Sequence, residues 1–297
     1  MNSQVRILLA LLVTGALLTG CDRGPGLPLS EGSGTSPLRI VSLAPSLTEI
    51  LFALDLGGQV VGVTDFCDYP KAALEKPKVG GFYDANYEQI ASLRPSLVVV
   101  LKEHEEARKH CRALGIDYLE VDNRSVAAIL TSIRTIGERC GAEDEARDLV
   151  RTLRDRIEVV REQAANRGRI NTLVCIGRAM GSGRIKDVYV AGKGTLYDEL
   201  LSLAGGVNAY TGRLEYPTVG AEGIVRMNPE VVIDLAADLD EKGLRPEDVR
   251  GEWRALPMID AVHKNRIHIL TGDYVTVPGP RFVLLLEDMA RAMTEEY

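Results

Sequence analysis

The potentially reactive side chains of this sequence do not form a known catalytic motif. The 297 residues contain no G-x-S-x-G turn, no H-E-x-x-H helix and no C-x-x-C pair. Ala191–Thr195 (AGKGT) has the glycine and lysine of a phosphate loop, but it lacks the G-x-x-x-x-G-K-[ST] spacing. We instead expect a turn there, followed by a helix from Leu196 that Thr195 and Asp198 cap. These patterns favour a binding protein over an enzyme.

His104 is the one histidine in a position that suggests a ligand contact. It lies in Lys102–Glu105 (KEHE), directly after an apolar run that ends at Leu101, and its imidazole could ligate a metal ion. A solvated, charged start of a helix is the favoured alternative. His263 and His268 form no metal-ligand spacing with His104, so we predict no dedicated zinc or manganese site.

Aromatic residues are few, and they are concentrated in predicted loops. Only 15 are present, and five of them fall within 22 residues: Phe66, Tyr69, Phe82, Tyr83 and Tyr87. Tyr216 and Tyr274 occupy turns in the second half. Aromatic faces bury a large apolar area at low entropic cost, which suits the binding of a ligand with apolar faces. The alternative is that some of these rings fill the hydrophobic core.

Composition restricts the class of protein further. Hydrophobic residues make up 45% of the chain and charged residues 26%, which excludes a disordered polymer and disfavours a polytopic membrane protein. The formal net charge of −7 and the absence of a basic block argue against nucleic acid as a partner.

The amino terminus predicts export. Ile7–Gly20 is almost wholly apolar and too short to span a membrane, as in a signal peptide. Leu17–Cys21 (LLTGC) resembles a bacterial lipobox, in which Cys21 is lipidated; a simple signal peptide is the alternative. We therefore predict a signal over residues 1–20 and a Gly/Pro/Ser-rich tether over 21–37. An extracytoplasmic enzyme remains a distant alternative.

Export also bears on the other four cysteines. Cys67, Cys111, Cys140 and Cys175 would fold in an oxidising compartment, where three pairings are possible. One disulfide and four buried free thiols both remain open.

The apolar patterns predict two α/β lobes joined by one long rigid helix. Short, strongly apolar runs suit strands buried on both faces of a largely parallel sheet. They occur at Leu38–Ala44, Gln59–Thr64, Ser96–Leu101 and Tyr118–Val121, and again at Thr172–Ile176, Asp187–Ala191, Glu230–Leu235 and Arg266–Leu270. Ser46–Glu49 (SLTE) predicts a capping box after the first strand. Between the halves, Ala142–Asn166 carries apolar residues at steps of three and four, which predicts one amphipathic helix.

The two halves also share a repeat. Asn86–Leu101 and Gly220–Leu235 align without gaps at an offset of 134 and match Glu88 with Glu222. The alternative is that helix-Pro-strand units simply recur in α/β proteins. The predicted division is a Rossmann-like lobe over 38–140, a connecting helix over 141–168 and a second lobe over 169–297.

Four motifs carry a resemblance to a known family. They are Ser42–Glu49 (SLAPSLTE), Cys67–Pro70 (CDYP), Val79–Phe82 (VGGF) and Leu93–Pro95 (LRP). From Leu38 to Tyr297 the chain resembles the helical-backbone (class III) periplasmic binding proteins of bacterial ABC importers, which take up cobalamin, haem and iron siderophores. It is most similar to the cobalamin-binding branch.

The resemblance implies where a ligand binds. It places a metal chelate, cobalamin first and haem or a ferric siderophore as alternatives, in the cleft between the lobes. Phe82 and Tyr216 stand where the enterobacterial representative is expected to carry Trp, which leaves the ligand open. No resident cofactor is implied. The ligand-binding residues we expect are Ser46, Tyr69, Phe82, Tyr83, His104, Tyr216 and Asp273.

The resemblance also implies a partner. Family members dock onto a dimeric membrane permease, with its ATPase, through matching glutamates, and Glu88 and Glu222 are the candidates here. The alternative is that both are ordinary solvated helix residues. We expect a monomer in the periplasm or at the cell surface, held to the membrane through Cys21.

Overall fold

The computed structural model describes residues 37–239 and 241–294. The predicted signal, Cys21 and all but the last residue of the predicted tether lie outside these ranges. Within them, no helix is long and apolar enough to cross a membrane. The described chain alternates strands and helices, as predicted for an α/β protein.

The first half forms a parallel four-stranded sheet. Its strand order is β2-β1-β3-β4, and all three pairings are parallel. Every residue of β1 and β3 is buried, because helices cover both faces. The strands are β1 Ile40–Ser42, β2 Val60–Val63, β3 Leu97–Leu101 and β4 Tyr118–Val121. The helices are α1 Pro45–Ala53, α2 Tyr87–Ser92, α3 Glu105–Leu114 and α4 Val126–Cys140.

One long helix leads out of this half. Helix α5 spans Glu143–Ala165, 23 residues or about 34 Å, which confirms the predicted helix to within a residue at each end. Its first turn is acidic, which suits the positive end of the helix dipole. Its buried residues recur at helical spacing: Ala146, Val150, Leu153 and Val160.

The second half forms a six-stranded sheet of mixed direction. Its order is β10-β9-β5-β6-β8, with β7 pairing the first part of β5. The strands are β5 Ile170–Arg178, β6 Asp187–Val190, β7 Gly206–Asn208, β8 Thr218–Gly220, β9 Val231–Leu235 and β10 Ile267–Leu270. The helices are α6 Leu196–Leu203, α7 Ala221–Met227, α8 Pro246–Glu252, α9 Asp260–His263 and α10 Phe282–Ala292.

The antiparallel strands are an addition to the parallel core. Strand β6 follows β5 after a short turn, a connection that only an antiparallel pair can use. The turn contains Gly181 and Gly183, both at positive φ. Strand β8 then extends the sheet by pairing antiparallel with β6.

The parallel cores of the two halves pair their strands in the same register. Val98 pairs with Tyr118 as Val232 pairs with Ile267, and each pairing continues for three more residues. At the same offset of 134, Arg94 and Asn228 both adopt positive φ, at 47° and 40°, immediately before a proline. A non-glycine residue in this conformation is uncommon, so its recurrence supports duplication.

One apolar cluster joins the halves. It runs from residues of β1 and α1, such as Ile40 and Leu47, along α5 to α6 and α10, including Leu200 and Leu286. The two sheets fall on either side of α5 in the chain. The domain boundaries predicted at 140/141 and 168/169 stay a prediction.

The predicted capping box at the first helix is wrong. Helix α1 begins at Pro45 with Ala44 as its N-cap, so Ser46 lies inside the first turn and caps nothing. Proline at the first position already supplies the helical φ. Glu49 is therefore free to make a distant contact. The predicted cap of α6 is confirmed: Asp198 N–H donates to Thr195 Oγ1 at 3.3 Å.

Candidate ligand-binding cleft

A cavity of about 490 Å³ lies between loops of both halves. The loops follow parallel strands, whose carboxyl ends are where open α/β sheets bind ligands. From the first half, the lining residues are Ala44, Pro45, Ser46, Glu49, Phe66, Asp68, Tyr69, Phe82 and Leu101. From the second half, they are Ala237, Asp238, Glu241, Asp273, Thr276, Val277, Pro278 and Arg281.

Three aromatic side chains from the first half line the cavity, and we call them the aromatic wall. Phe66 and Tyr69 follow β2, and they remain 62% and 46% exposed. Phe82 is partly buried and packs against the core. Large aromatic side chains left exposed in a concave site are the usual sign of an apolar ligand face.

The second half contributes the charged wall: Asp238, Glu241, Asp273 and Arg281. Arg281 precedes α10, and its guanidinium lies 3.7 Å from the ring centroid of Tyr69. Its Nη1 donates to Asp273 Oδ1 at 2.6 Å, and its Nη2 donates to Glu49 Oε1 at 2.5 Å. Arg281 therefore ties the two halves together at the base of the cavity.

Glu49 is the buried end of that link. Its side chain is only 3% exposed, and Oε2 has no hydrogen-bond partner among the described residues. Burial raises the pKa of Glu49, although the hydrogen bond from Arg281 opposes the shift. A Cβ on Gly279 would lie 2.8 Å from Oε2, so this approach requires a glycine.

Two predicted ligand residues lie behind Phe82 rather than in the main cavity. Tyr83 and His104 line an adjoining pocket of about 190 Å³ that shares Phe82. The ring of Phe82 meets Tyr83 at 4.7 Å and His104 at 4.4 Å, both edge to face. Tyr83 is 77% exposed, whereas His104 is buried.

The environment of His104 bears on metal binding. The interpretation as a solvated helix start is wrong, because His104 is 4% exposed. Leu101 N–H donates to its Nδ1 at 3.2 Å, so the proton of the neutral ring belongs on Nε2 and leaves no lone pair there for a metal. Burial and nearby Arg108 lower its pKa to about 4. Among the described residues, no group of three or more His, Cys, Asp or Glu could hold a metal ion.

Tyr216 does not line this cavity. It is 51% exposed on the loop before β8, beside Glu215. That loop lies tightly against the turn after β6, where Gly192 N–H donates to Glu215 O at 2.6 Å. A Cβ on Gly192 would lie 2.0 Å from Leu214 O, so only glycine fits. Of the seven predicted ligand residues, the cavity therefore brings together Ser46, Tyr69, Phe82 and Asp273.

Glu88 and Glu222 occupy equivalent exposed positions. Each is the second residue of its helix, α2 or α7, and each is exposed. Within the described parts of the chain, neither carboxylate makes a hydrogen bond or an ion pair. Ile90 and Ile224, two residues on, are both buried and fix the orientation of the two helices.

All four described cysteines are free thiols. Cys67, Cys111 and Cys175 are buried, and Cys140 is partly buried. Thr48 Oγ1 donates to Cys67 Sγ at 3.2 Å, and burial raises the pKa of the Cys67 thiol. Of the two alternatives left open, the structure has free thiols.

The sequence did not identify Arg281 or Glu49 as residues of the cleft. Their contact spans 232 residues, so no local pattern links them. The only local signal is Val277–Arg281 (VPGPR), in which two prolines flank the glycine that Glu49 approaches.

Three comparisons with known proteins agree with this geometry. The family model described as periplasmic binding protein matches residues 40–274. An uncharacterized ABC transporter substrate-binding lipoprotein of Bacillus subtilis is 31% identical over 86% of this chain and 80% of its own. The vitamin B12-binding protein of Vibrio cholerae is 26% identical over 84% of this chain and 87% of its own.

A solved structure also shares the fold. The periplasmic heme-binding protein RhuT of Roseiflexus, in apo form, superimposes with a TM-score of 0.73 at 27% identity. The match covers 86% of this chain and 99% of that chain.

Proposed function

The chain belongs to the periplasmic binding protein family, and from that premise we propose that it captures cobalamin or a closely related corrinoid. Membership makes it an extracytoplasmic substrate-binding protein of an ABC transporter, a transport protein rather than an enzyme.

The observation that carries the proposal is the pairing of an aromatic wall with a charged wall across one cavity. A corrin ring has apolar faces and a rim of amide groups. Its faces would pack on Phe66, Tyr69 and Phe82, and its amide N–H groups would donate to carboxylates such as Asp273. The similarity to a vitamin B12-binding protein supports the same ligand class.

Haem is the second candidate. The likeness to the heme-binding protein RhuT favours it, and Tyr69 offers a phenol at the cavity. The phenol ring of Tyr69 is stacked on Arg281, however, and both terminal nitrogens of that arginine are already bonded to carboxylates. Haem propionates would have to share that guanidinium with two protein carboxylates, so we place corrinoids first.

The test is a titration of the delipidated protein with cyanocobalamin, cobinamide, haemin and a ferric hydroxamate, followed by optical spectra and calorimetry. We expect one-to-one binding of a corrinoid at micromolar strength or better. Preference for haemin or for the hydroxamate would refute the corrinoid assignment, and binding of none of the four would refute the whole ligand class.

We further propose that Glu88 and Glu222 dock the loaded protein onto a dimeric permease, one carboxylate for each subunit. Equivalent, exposed and unpaired carboxylates suit a partner with two equivalent basic sites. Losing one member of a desolvated interfacial charge pair costs about 2 to 5 kcal/mol, and less at an exposed rim.

The docking test compares two double variants. Glu88→Ala with Glu222→Ala should abolish most uptake while leaving the affinity for the ligand and the melting temperature unchanged. Asp155→Ala with Glu162→Ala removes two exposed carboxylates from α5 and should transport normally. Normal uptake by the first variant, or loss of its ligand binding, would contradict the docking role.

Lipid anchoring through Cys21 is a separate proposal. It is supported by the lipobox-like sequence Leu17–Cys21, and a curated relative is called a lipoprotein. Mass spectrometry of the protein isolated from membranes should find a diacylated Cys21. Cys21→Ser should release the protein into the soluble fraction.

A further inference from the structure

The lining of the cleft is strongly unbalanced in charge. Five carboxylates line it, and among the described lining residues Arg281 is the single basic side chain. The carboxylates belong to Glu49, Asp68, Asp238, Glu241 and Asp273. If burial keeps a proton on Glu49, the other four still outnumber the arginine.

The charge of Arg281 is already offset by two carboxylates of the protein. Nη1 and Nη2 donate to Asp273 and Glu49, at 2.6 and 2.5 Å, and the face of the guanidinium lies against Tyr69. Nε is buried and has no hydrogen-bond partner among the described residues. A carboxylate on a ligand would have to share the single positive charge of Arg281 with Asp273 and Glu49.

Several acceptors in the cleft, by contrast, are not neutralised. Asp68 and Glu241 are exposed and form no ion pair with another described residue. Asp238 pairs with Lys242 at 2.5 Å, but both side chains are more than 40% exposed and therefore well screened.

Glu49 provides a second observation that points to a ligand. It lines the cavity, its side chain is 97% buried, and Oε2 has no partner among the described residues. A buried acceptor without a partner is unfavourable, so a donor supplied by a ligand would stabilise it.

We propose that the cleft selects its ligand by charge: it accepts a neutral or cationic chelate rimmed with amides and rejects a chelate rimmed with carboxylates. This inference rests on the corrinoid function proposed above. Amide N–H groups complement the protein carboxylates, whereas ligand carboxylates would face like charge across the cleft.

The experiment compares two corrinoids with the same ring and opposite charge. Aquacyanocobinamide carries amide side chains and a net positive charge, and cobyrinic acid carries carboxylates in place of the amides. Dissociation constants are measured at about 0.01 M and about 0.1 M salt, between which the screening length falls from about 30 Å to about 10 Å. Cobinamide should bind at least about tenfold more tightly, and the ratio should shrink with salt.

Charge-removing variants identify the source of the selectivity. Asp68→Asn with Glu241→Gln should narrow the preference for cobinamide by roughly tenfold, because both carboxylates line the cleft. Asp155→Asn with Glu162→Gln makes the same chemical changes on the exposed part of α5 and should leave the preference as it was.

The outcomes separate this inference from the proposed function. Equal affinity for the two corrinoids, or a preference that the cleft variant does not narrow, would overturn selection by charge and leave the corrinoid function standing. Binding of haemin in place of both corrinoids would refute the two together, because haemin is a dicarboxylate. Binding of none would refute the function and the inference that rests on it.

Discussion

The two walls of the cleft differ in chemistry although they come from halves with the same parallel core. The first half supplies all three aromatic rings, Phe66, Tyr69 and Phe82. The second half supplies three of the five carboxylates and the guanidinium of Arg281. The register of β3 with β4 and of β9 with β10 is the same. The two halves therefore share the parallel scaffold and differ in the loops after the strands.

The difference indicates that the two walls contribute to binding in different ways. Apolar area removed from water contributes free energy of binding in proportion to its extent, with little regard to orientation. Charged and hydrogen-bonding groups contribute more to specificity. The aromatic wall should thus dominate affinity, and the charged wall should decide which chelate is accepted and how it is oriented.

The largest expected effect is loss of the aromatic wall. Phe66→Ala with Phe82→Ala should weaken binding of the preferred corrinoid by about 4 kcal/mol, or several hundredfold, because in the proposed complex each ring would bury most of a face against the ligand. Calorimetric titration measures the change. Tyr189→Ala, which removes an exposed aromatic ring from β6, is the control and should bind normally.

If the double variant loses less than about tenfold in affinity, the aromatic wall is not the main source of affinity and the charged wall is. The melting temperature of the variant, measured without ligand, separates this outcome from a failure to fold, because Phe82 also packs against the core.

The second-largest expected effect is on stability, from loss of the Glu49–Arg281 ion pair that links the walls. Arg281→Met should reduce the free energy of unfolding by about 3 kcal/mol, since it leaves the Glu49 carboxyl buried without its partner. Denaturant unfolding without ligand measures this, and Arg167→Met, an exposed arginine beyond α5, is the control. Stability equal to that of the parent protein would mean that the ion pair joins the walls without stabilising the fold.

A smaller effect on stability is expected from the buried histidines, of which each half contributes one. Burial lowers the pKa of both His104 and His268 to about 4, with Arg108 and Arg266 adding to the effect. Near pH 6 the unfolded chain binds protons that the folded chain does not, so stability should fall as pH drops from about 6.5 towards 4. Each histidine should contribute roughly 2 kcal/mol by pH 4.

Unfolding measured between pH 7 and 4 tests this directly. His104→Gln and His268→Gln should each remove a similar share of the pH dependence, which would make the halves equivalent in this respect. If only one of the two variants changes the dependence of stability on pH, the halves differ in the environment of their buried histidines as well as in their loops.

The smallest expected effect is movement of one half against the other. One apolar cluster extends through α5, and the Glu49–Arg281 pair crosses the cleft, so binding should not require a large hinge motion. Small-angle scattering with and without ligand should give nearly the same curve. Closure by tens of degrees would mean that the two walls meet only in the loaded state.

Local patterns in the sequence are enough to predict most of the helices and strands of this protein and the repeat between its halves. Helix α5, strand β4 and helix α6 follow from apolar periodicity and capping residues, which act over a few residues and can be read locally. The match of Glu88 with Glu222 is likewise visible in the chain, and the structure adds that both hold the second position of a short helix.

Which side chains meet in the cleft depends on the folded chain and not on any local pattern. Glu49 and Arg281 are 232 residues apart, and no local pattern joins them. Tyr69 and Asp273 contact opposite parts of the same guanidinium, whereas Tyr216 lies on another loop. His104, which has the sequence context of a solvated helix start, is buried behind Phe82. The physical reason is that loop conformation and burial depend on packing between distant segments, which the periodicity of any one segment does not encode.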